Sequence, residues 1–323
     1  MSGSIGIKPD PKFPYGVPNP EEREMVQRTI SRCEEVNADI GIMLDTDADR
    51  GGFVIPRTVI PSEQICKDYE PLNRNRLIAL LSVIFSSASP GCSIVTDSVT
   101  SEGLEMFLEE TLGLKHVRFL KGYANVINKA KEITESGSAV AEMAIETSGH
   151  CAMRENGYLD DGTYTAVKVI GLLARIRRSR EMQENTNLNV PLSLLDLISE
   201  LKEMPVVDEL RMRVQNNSLA ATEEIFREIC ERLEAKCEES SETSWALDRK
   251  NLEGVRIRVR SNDEKEGTFF MLRKSLHDPV LSVQVEASSK EQCQKYILRP
   301  LLKIIEFCGF EESLLDTSAL SKF

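Results

Sequence analysis

Asp45, Asp47 and Asp49 stand at alternate positions with Arg50 directly after them, and all four follow the short apolar run Asp39-Ile40-Gly41-Ile42-Met43-Leu44. A run of that length predicts a buried parallel strand, so the acids fall in the loop at the strand's carboxyl end. Open α/β sheets bind their ligands at that edge. Three ionised carboxylates in one turn repel one another and are tolerated only with protonation or a cation. Every donor is a hard oxygen and no histidine or cysteine is near in sequence, which selects magnesium, or calcium or manganese, over zinc. Arg50 is placed to grip an anion bidentately beside the cation, and the pair points to phosphate chemistry. Alone, the spacing also fits a solvated acidic loop or an isolated calcium turn, although it lacks an EF-hand's downstream glutamate and follows a strand.

A formal net charge of −12 disfavours nucleic acid and anionic membrane as partners, so an anionic substrate must meet a local basic cluster. With 323 residues, 41% hydrophobic and 28% charged, the chain has room for two or three ordinary globular domains. Eight scattered cysteines without a Cys-x-x-Cys read as free thiols in a reducing compartment. The longest apolar stretch, Leu77 to Phe85, is too short to span a bilayer, and no secretory signal is visible, so the protein is expected not to be secreted.

In chain order, Asn19 reads as an N-cap, Pro20 as the first helical residue, and Met25, Val26, Ile30, Cys33 and Val36 as the apolar stripe of a helix. A strand at Phe53 to Ile55 closes this piece, which is too small to bury a core alone, so a segment upstream is expected. Helices over Arg74 to Ser87, Glu102 to Leu112, Asn125 to Glu135 and Thr163 to Arg177 alternate with strands at Ser93 to Thr96, Val117 to Leu120 and Ala139 to Ile145. That alternation predicts a parallel, right-handed α/β layer. Arg178 to Pro191 reads as a linker. Beyond it, strands at Val207 to Val214, Val255 to Val259, Phe269 to Leu272 and Val280 to Val285, with helices over Glu223 to Lys236 and Lys290 to Phe307, predict an α+β domain with an antiparallel sheet.

Three further loops carry candidate chemistry. Glu146-Thr147-Ser148-Gly149-His150 follows the strand ending at Ile145, where a carboxylate and a hydroxyl can bond vicinal sugar hydroxyls; taken alone, the loop reads more readily as a plain turn before a helix cap. Lys121-Gly122-Tyr123 occupies the same topological place one strand earlier, as a phosphate or hydroxyl contact or as an ordinary turn. Arg273-Lys274-Ser275-Leu276-His277-Asp278-Pro279 joins two strands and is either an anion nest or a charged hairpin loop. Cys151 beside His150 has nothing else to support a thiol nucleophile.

Together and in this order, these loops resemble those of the phosphohexomutases, the phosphoglucomutase/phosphomannomutase/phosphoglucosamine mutase superfamily. Phe13-Pro14 with Pro18-Asn19-Pro20-Glu21 resembles the segment before that family's metal loop, and residues 45 to 50 resemble the loop itself. Glu146 to His150 resemble its sugar-recognition loop and Arg273 to Pro279 its phosphate loop, so the likeness runs from about residue 13 to 310. The resemblance implies α/β mutase domains with parallel and mixed sheets followed by a C-terminal α+β domain with an antiparallel sheet. It divides the chain into a remnant of domain II at 1–60, domain III at 61–185 and domain IV at 186–323.

It further implies that Asp45, Asp47 and Asp49 hold magnesium and that Arg50 is catalytic beside the transferring phosphoryl group. Lys121, Gly122, Tyr123, Glu146, Ser148 and His150 would bind substrate, Glu146 and Ser148 through sugar hydroxyls and Gly122 and Tyr123 at the turn that reads sugar orientation. Arg273 and Ser275 would grip the resting phosphate. The implied reaction moves a phosphoryl group between C1 and C6 of a hexose phosphate (glucose, glucosamine or mannose) through a hexose bisphosphate, by in-line transfer with charge stabilised by metal and guanidinium. The family's phosphoserine lies on a Ser-His-Asn-Pro type loop, and none of His116, His150 and His277 lies in such a motif. The chain is therefore expected to lack the phosphoryl donor and the metal's fourth ligand, and to be inactive alone. An alternative is a sugar-phosphate-binding protein without catalysis.

Two departures stand out. After Asp97 the chain reads Ser98-Val99-Thr100-Ser101-Glu102 where many members have a lysine and an arginine, and Leu276-His277 replace a small or amide residue and a threonine. The Thr-Asp-Ser-Val-Thr-Ser wording is similar to a divergent plant and algal branch of the phosphoglucosamine mutases, which implies cytoplasm or plastid stroma.

Overall fold

The computed structural model describes residues 3–57, 68–72, 74–183, 193–215, 217–238, 245–260, 267–275, 278–310 and 314–323. Two compact units divide them: one runs to Thr100 and from Leu104 to Leu201, the other comprises Ser101–Gly103 and Lys202–Phe323.

In the first unit, α1 (Arg23–Val36) buries its stripe through Met25, Val26, Ile30 and Cys33 against Met43, Val54 and Tyr69. It stops at Asn37, whose left-handed φ of 50° turns the chain so that the Ala38 amide reaches back to the Cys33 carbonyl at 2.9 Å. Asn19 is not its cap. The Asn19 Oδ1 accepts from the Glu21 amide at 3.1 Å, and this Asx turn takes up the residues before a helix that begins at Arg23. β1 (Gly41–Leu44) pairs with β2 (Gly51–Pro56), which pairs with β3 (Tyr69–Pro71), all antiparallel. The expected parallel strand is thus corrected: six residues between β1 and β2 allow a hairpin return but no crossover. Nor is β1 continuously buried, since Ile42 is exposed between buried Gly41 and Met43.

The parallel layer forms as its apolar runs dictate. β4 (Ser93–Asp97) follows α2 (Asn75–Ala88) and is buried along its whole length between β5 (Lys115–Phe119) and β6 (Ala141–Ile145), parallel to both. Between β4 and β5, α3 (Glu102–Met106) continues as a π-helical turn over Phe107–Thr111. α4 (Tyr123–Glu135) links β5 to β6 and buries Val126, Ile127 and Ala130. β7 (Cys151–Met153) then returns antiparallel beside β6. α5 (Gly162–Gln183) extends six residues past the expected Arg177, so the anticipated linker begins as helix, and its part from 184 to 191 lies outside the described residues.

The second unit is a six-stranded antiparallel sheet ordered β13-β8-β12-β11-β10-β9. Its elements in chain order are β8 (Val206–Val214), α6 (Leu219–Glu238), β9 (Trp245–Leu247), β10 (Val255–Val259), β11 (Phe269–Lys274) and β12 (Val280–Ala287), then α7 (Lys290–Cys293), α8 (Arg299–Phe307), β13 (Leu315–Asp316) and α9 (Ser318–Lys322). Its core sets Ile257, Phe270, Leu272 and Val283 of the sheet against Ile225, Ile229 and Leu233 of α6 and Leu301 and Ile305 of α8. The expected single helix from Lys290 to Phe307 is instead two, joined by a π-helical turn at Gln294–Leu298, with Pro300 in the first turn of the second, where a missing amide is tolerated. Among the described residues no helix is long and apolar enough to cross a membrane.

Candidate functional site

The loop after β1 folds around Asp45. Its Oδ2 accepts from Arg50 Nε at 2.7 Å and its Oδ1 from the Arg50 amide at 3.1 Å, and the residue is 8% exposed. Burial alone would raise the Asp45 pKa, but the two hydrogen bonds and the charge of Arg50 hold the carboxyl below its usual range. Ala48 takes a left-handed φ of 62°, and its carbonyl accepts from the Gly162 amide at the start of α5, 2.9 Å away. Asp47 points to solvent. Asp49 is pushed up to about 6 by burial and by the charges of Asp45 and Asp160, with His150 opposing.

The loop after β6 lies against this one. The Gly51 amide donates to the Gly149 carbonyl at 3.2 Å, and Arg50 and His150 form an isolated antiparallel bridge. Gly149 is required here: its φ is +101°, and a Cβ would stand 2.8 Å from the Gly51 carbonyl oxygen. His150 Nδ1 sits 2.7 Å from Asp160 Oδ2 and 3.6 Å from Asp49 Oδ2, and its ring stacks on Tyr123 with centroids 5.0 Å apart. Burial would lower the His150 pKa, but the Asp160 bond and charge outweigh it and raise the value.

Glu146 is 5% exposed. Its Oε1 accepts from the Gly122 amide at 2.6 Å and its Oε2 from Ser148 Oγ at 3.3 Å. The loops after β1, β5 and β6 therefore meet at one edge of the first unit and bring together Asp45, Asp49, Arg50, Gly122, Tyr123, Glu146, Ser148 and His150. Lys121 belongs to the same turn and lies close enough to Asp97 to oppose the rise of its pKa.

A divalent cation fits the acidic loop. Oxygens of Asp45, Asp47 and Asp49 lie within 4.8 Å of one another, and Asp49 Oδ1 is a buried oxygen with no hydrogen-bond partner among the described residues. Carboxylates alone suit a hard cation such as magnesium.

Arg273 and Ser275 belong to the second unit. Arg273 Nη2 pairs with Glu209 Oε2 at 3.0 Å, while its buried Nε has no partner among the described residues. Ser275 Oγ accepts from the Asp278 amide at 3.2 Å, and Lys274 pairs with Glu223. Leu276 and His277 lie outside the described residues.

Two acids of the first site were missed from sequence. Asp97 ends β4 and is fully buried, with Oδ2 accepting from Thr147 Oγ1 at 2.7 Å and from its amide at 3.3 Å. A charge closing an apolar strand at the ligand edge was the available signal. Asp160 precedes Asp161, whose Oδ1 accepts from the Tyr164 amide at 2.8 Å at the start of α5. Read together, the doublet looks like capping alone, which hides the role of Asp160 at His150. Cys151 is buried, its thiol pushed up to about 12 by desolvation, which removes it as a nucleophile.

Two family models match the chain, phosphoglucomutase/phosphomannomutase alpha/beta/alpha domain II over residues 3–58 and alpha/beta/alpha domain III over 73–188, together more than half of its residues. A phosphomannomutase/phosphoglucomutase of Pseudomonas putida is 29% identical over 173 residues, covering 53% of this chain and 34% of that protein. One from Pseudomonas aeruginosa is 25% identical over 300 residues, 92% of this chain and 54% of that protein. A phosphoglucosamine mutase of a Thermotoga species is 25% identical over 275 residues, 84% of this chain and 49% of that protein. The chain thus spans about half the length or less of these relatives. A crystal structure of a phosphoglucomutase/phosphomannomutase family protein from Burkholderia thailandensis shares the fold, with a TM-score of 0.66 at 23% identity over 92% of this chain and 53% of that one.

Proposed function

The chain belongs to the phosphoglucomutase/phosphomannomutase family, and on that premise we propose that it is the carboxyl-terminal part of a phosphohexomutase, which binds hexose phosphate and a magnesium ion. The observation that carries this reading is the joining of the acidic loop to the Glu146 loop, through the Gly51 to Gly149 hydrogen bond and the 3.6 Å approach of His150 to Asp49. Metal-binding and hydroxyl-binding groups then serve one ligand. The reading divides the chain into a remnant of domain II at 1–60, domain III at 61–185 and domain IV at 186–323.

In this reading Asp45, Asp47 and Asp49 hold the cation, which when bound neutralises charge on the transferring phosphoryl group. Arg50 supplies a guanidinium beside the same oxygens. Glu146 and Ser148 orient the sugar through its hydroxyls, with Lys121 and the Gly122-Tyr123 turn beside them, and Tyr123 with Asp160 fixes the plane and tautomer of His150. Arg273 and Ser275 take the phosphate that is not being transferred, and a bisphosphorylated hexose can present either end. The chain carries no Ser-His-Asn-Pro type loop, so the polypeptide by itself binds its ligands without turnover.

Calorimetry tests this on the whole chain with magnesium and glucose 6-phosphate. Asp47→Asn removes a solvent-facing member of the acidic loop and is expected to weaken magnesium binding by about tenfold or more. Equal magnesium affinity in that variant, or mutase turnover by the chain alone, would sink the reading.

A further inference from the structure

The loops that meet at the candidate site hang from two buried carboxylates, and only Glu146 has so far been given a task. Asp97 is 0% exposed, at the end of the fully buried strand β4. One of its oxygens takes two hydrogen bonds from a single residue, Thr147 Oγ1 at 2.7 Å and the Thr147 amide at 3.3 Å, and the other oxygen is buried without a partner among the described residues. A buried carboxylate with an unsatisfied oxygen is a net burden on stability. Burial first, and then the nearby charge of Glu146, push it up to about 6, with Lys121 and the Thr147 bonds opposing. Stability is therefore not what Asp97 contributes.

Its contribution is geometric. Two bonds to both polar groups of Thr147 fix the residue that separates Glu146 from Ser148. Glu146 Oε1 is committed to the Gly122 amide at 2.6 Å, whereas among the described residues Oε2 is held only by Ser148 Oγ at 3.3 Å. Oε2 and Ser148 Oγ are thus the exchangeable pair, the one that adjacent sugar hydroxyls can take over.

Resting on the proposed reading of this site as a hexose-phosphate site, we propose that Asp97 is the positioning residue of the sugar-binding loop: through Thr147 it sets Glu146 Oε2 and Ser148 Oγ at the spacing of two neighbouring hexose hydroxyls, without touching the ligand. Asparagine at this position keeps an acceptor for both Thr147 donors. Alanine does not.

The test is titration calorimetry on the whole chain with glucose 6-phosphate and, separately, with inorganic phosphate. Asp97→Ala is expected to weaken glucose 6-phosphate about tenfold or more and leave inorganic phosphate unchanged. Asp97→Asn is expected to bind the sugar phosphate within about twofold of the parent, a rescue that general loosening of the fold does not produce. Equal sugar-phosphate affinity in Asp97→Ala overturns the inference, and so does an Asp97→Asn variant as weak as the alanine one. If Asp97→Ala does not fold, Thr147→Val removes one of the two donors, and an unchanged affinity there overturns the inference instead. A parent chain that binds glucose 6-phosphate no more tightly than inorganic phosphate removes the reading of the site itself, and this inference with it.

Discussion

At the scale of single residues, the candidate site is a collection of acids whose protonation is set by what surrounds each one. Asp45 is held low by Arg50, whereas Asp49 and Asp97 are both pushed up to about 6, burial being the largest cause in each, with the charges of Asp45 and Asp160 adding to the first and that of Glu146 to the second. For Asp97 the folded state binds its proton more tightly than the unfolded chain does. Its favourable contribution is therefore present below about pH 4 and is lost as the pH rises through about 6, a change of about 3 kcal/mol. Urea unfolding at intervals from pH 4 to 7 is expected to show Asp97→Asn gaining on the parent by about that amount across this window; a constant gap would contradict it. Residues were legible in sequence where the pattern repeats in one loop, as with Asp45, Asp47 and Asp49. Asp97 and Asp160 were not, because their partners Thr147 and His150 lie 50 and 10 residues away.

Among the elements, periodicity found every helix and strand that buries a long apolar face, such as α2, α4, β4 and β12. It passed over β3, β7, β9 and β13, which are two or three residues long and exist because a neighbouring strand offers its edge. The direction of β1 was misread for a related reason: its sequence states that it is apolar, not which neighbour it pairs with. The join between the loops after β1 and β6 depends on bare backbone at Gly149. Gly149→Ala combines a left-handed φ with a 2.8 Å contact to a carbonyl oxygen, and is expected to cost about 1–3 kcal/mol, measurable as a lowered unfolding midpoint for the first unit. Alanine at Gly91, where nothing lies within 4 Å of a Cβ, meets only the φ penalty and is the matched control.

For the whole molecule, the candidate magnesium ligands and the candidate phosphate grip fall in different compact units, Asp45, Asp47 and Asp49 in the first and Arg273 and Ser275 in the second. Each ligand should then protect its own unit. Hydrogen exchange is expected to slow around β1 and β2 with magnesium and around β11 and β12 with inorganic phosphate, by up to about 2.7 kcal/mol at a hundredfold excess over the dissociation constant. Protection of both units by either ligand would contradict the assignment. The chain spans about half the length of these relatives. Asp45 has both carboxylate oxygens already bonded to Arg50. The acidic loop thus brings a built-in counter-ion, and its architecture is not on loan from a metal: the turn is expected to keep its shape whether or not the candidate cation site is filled.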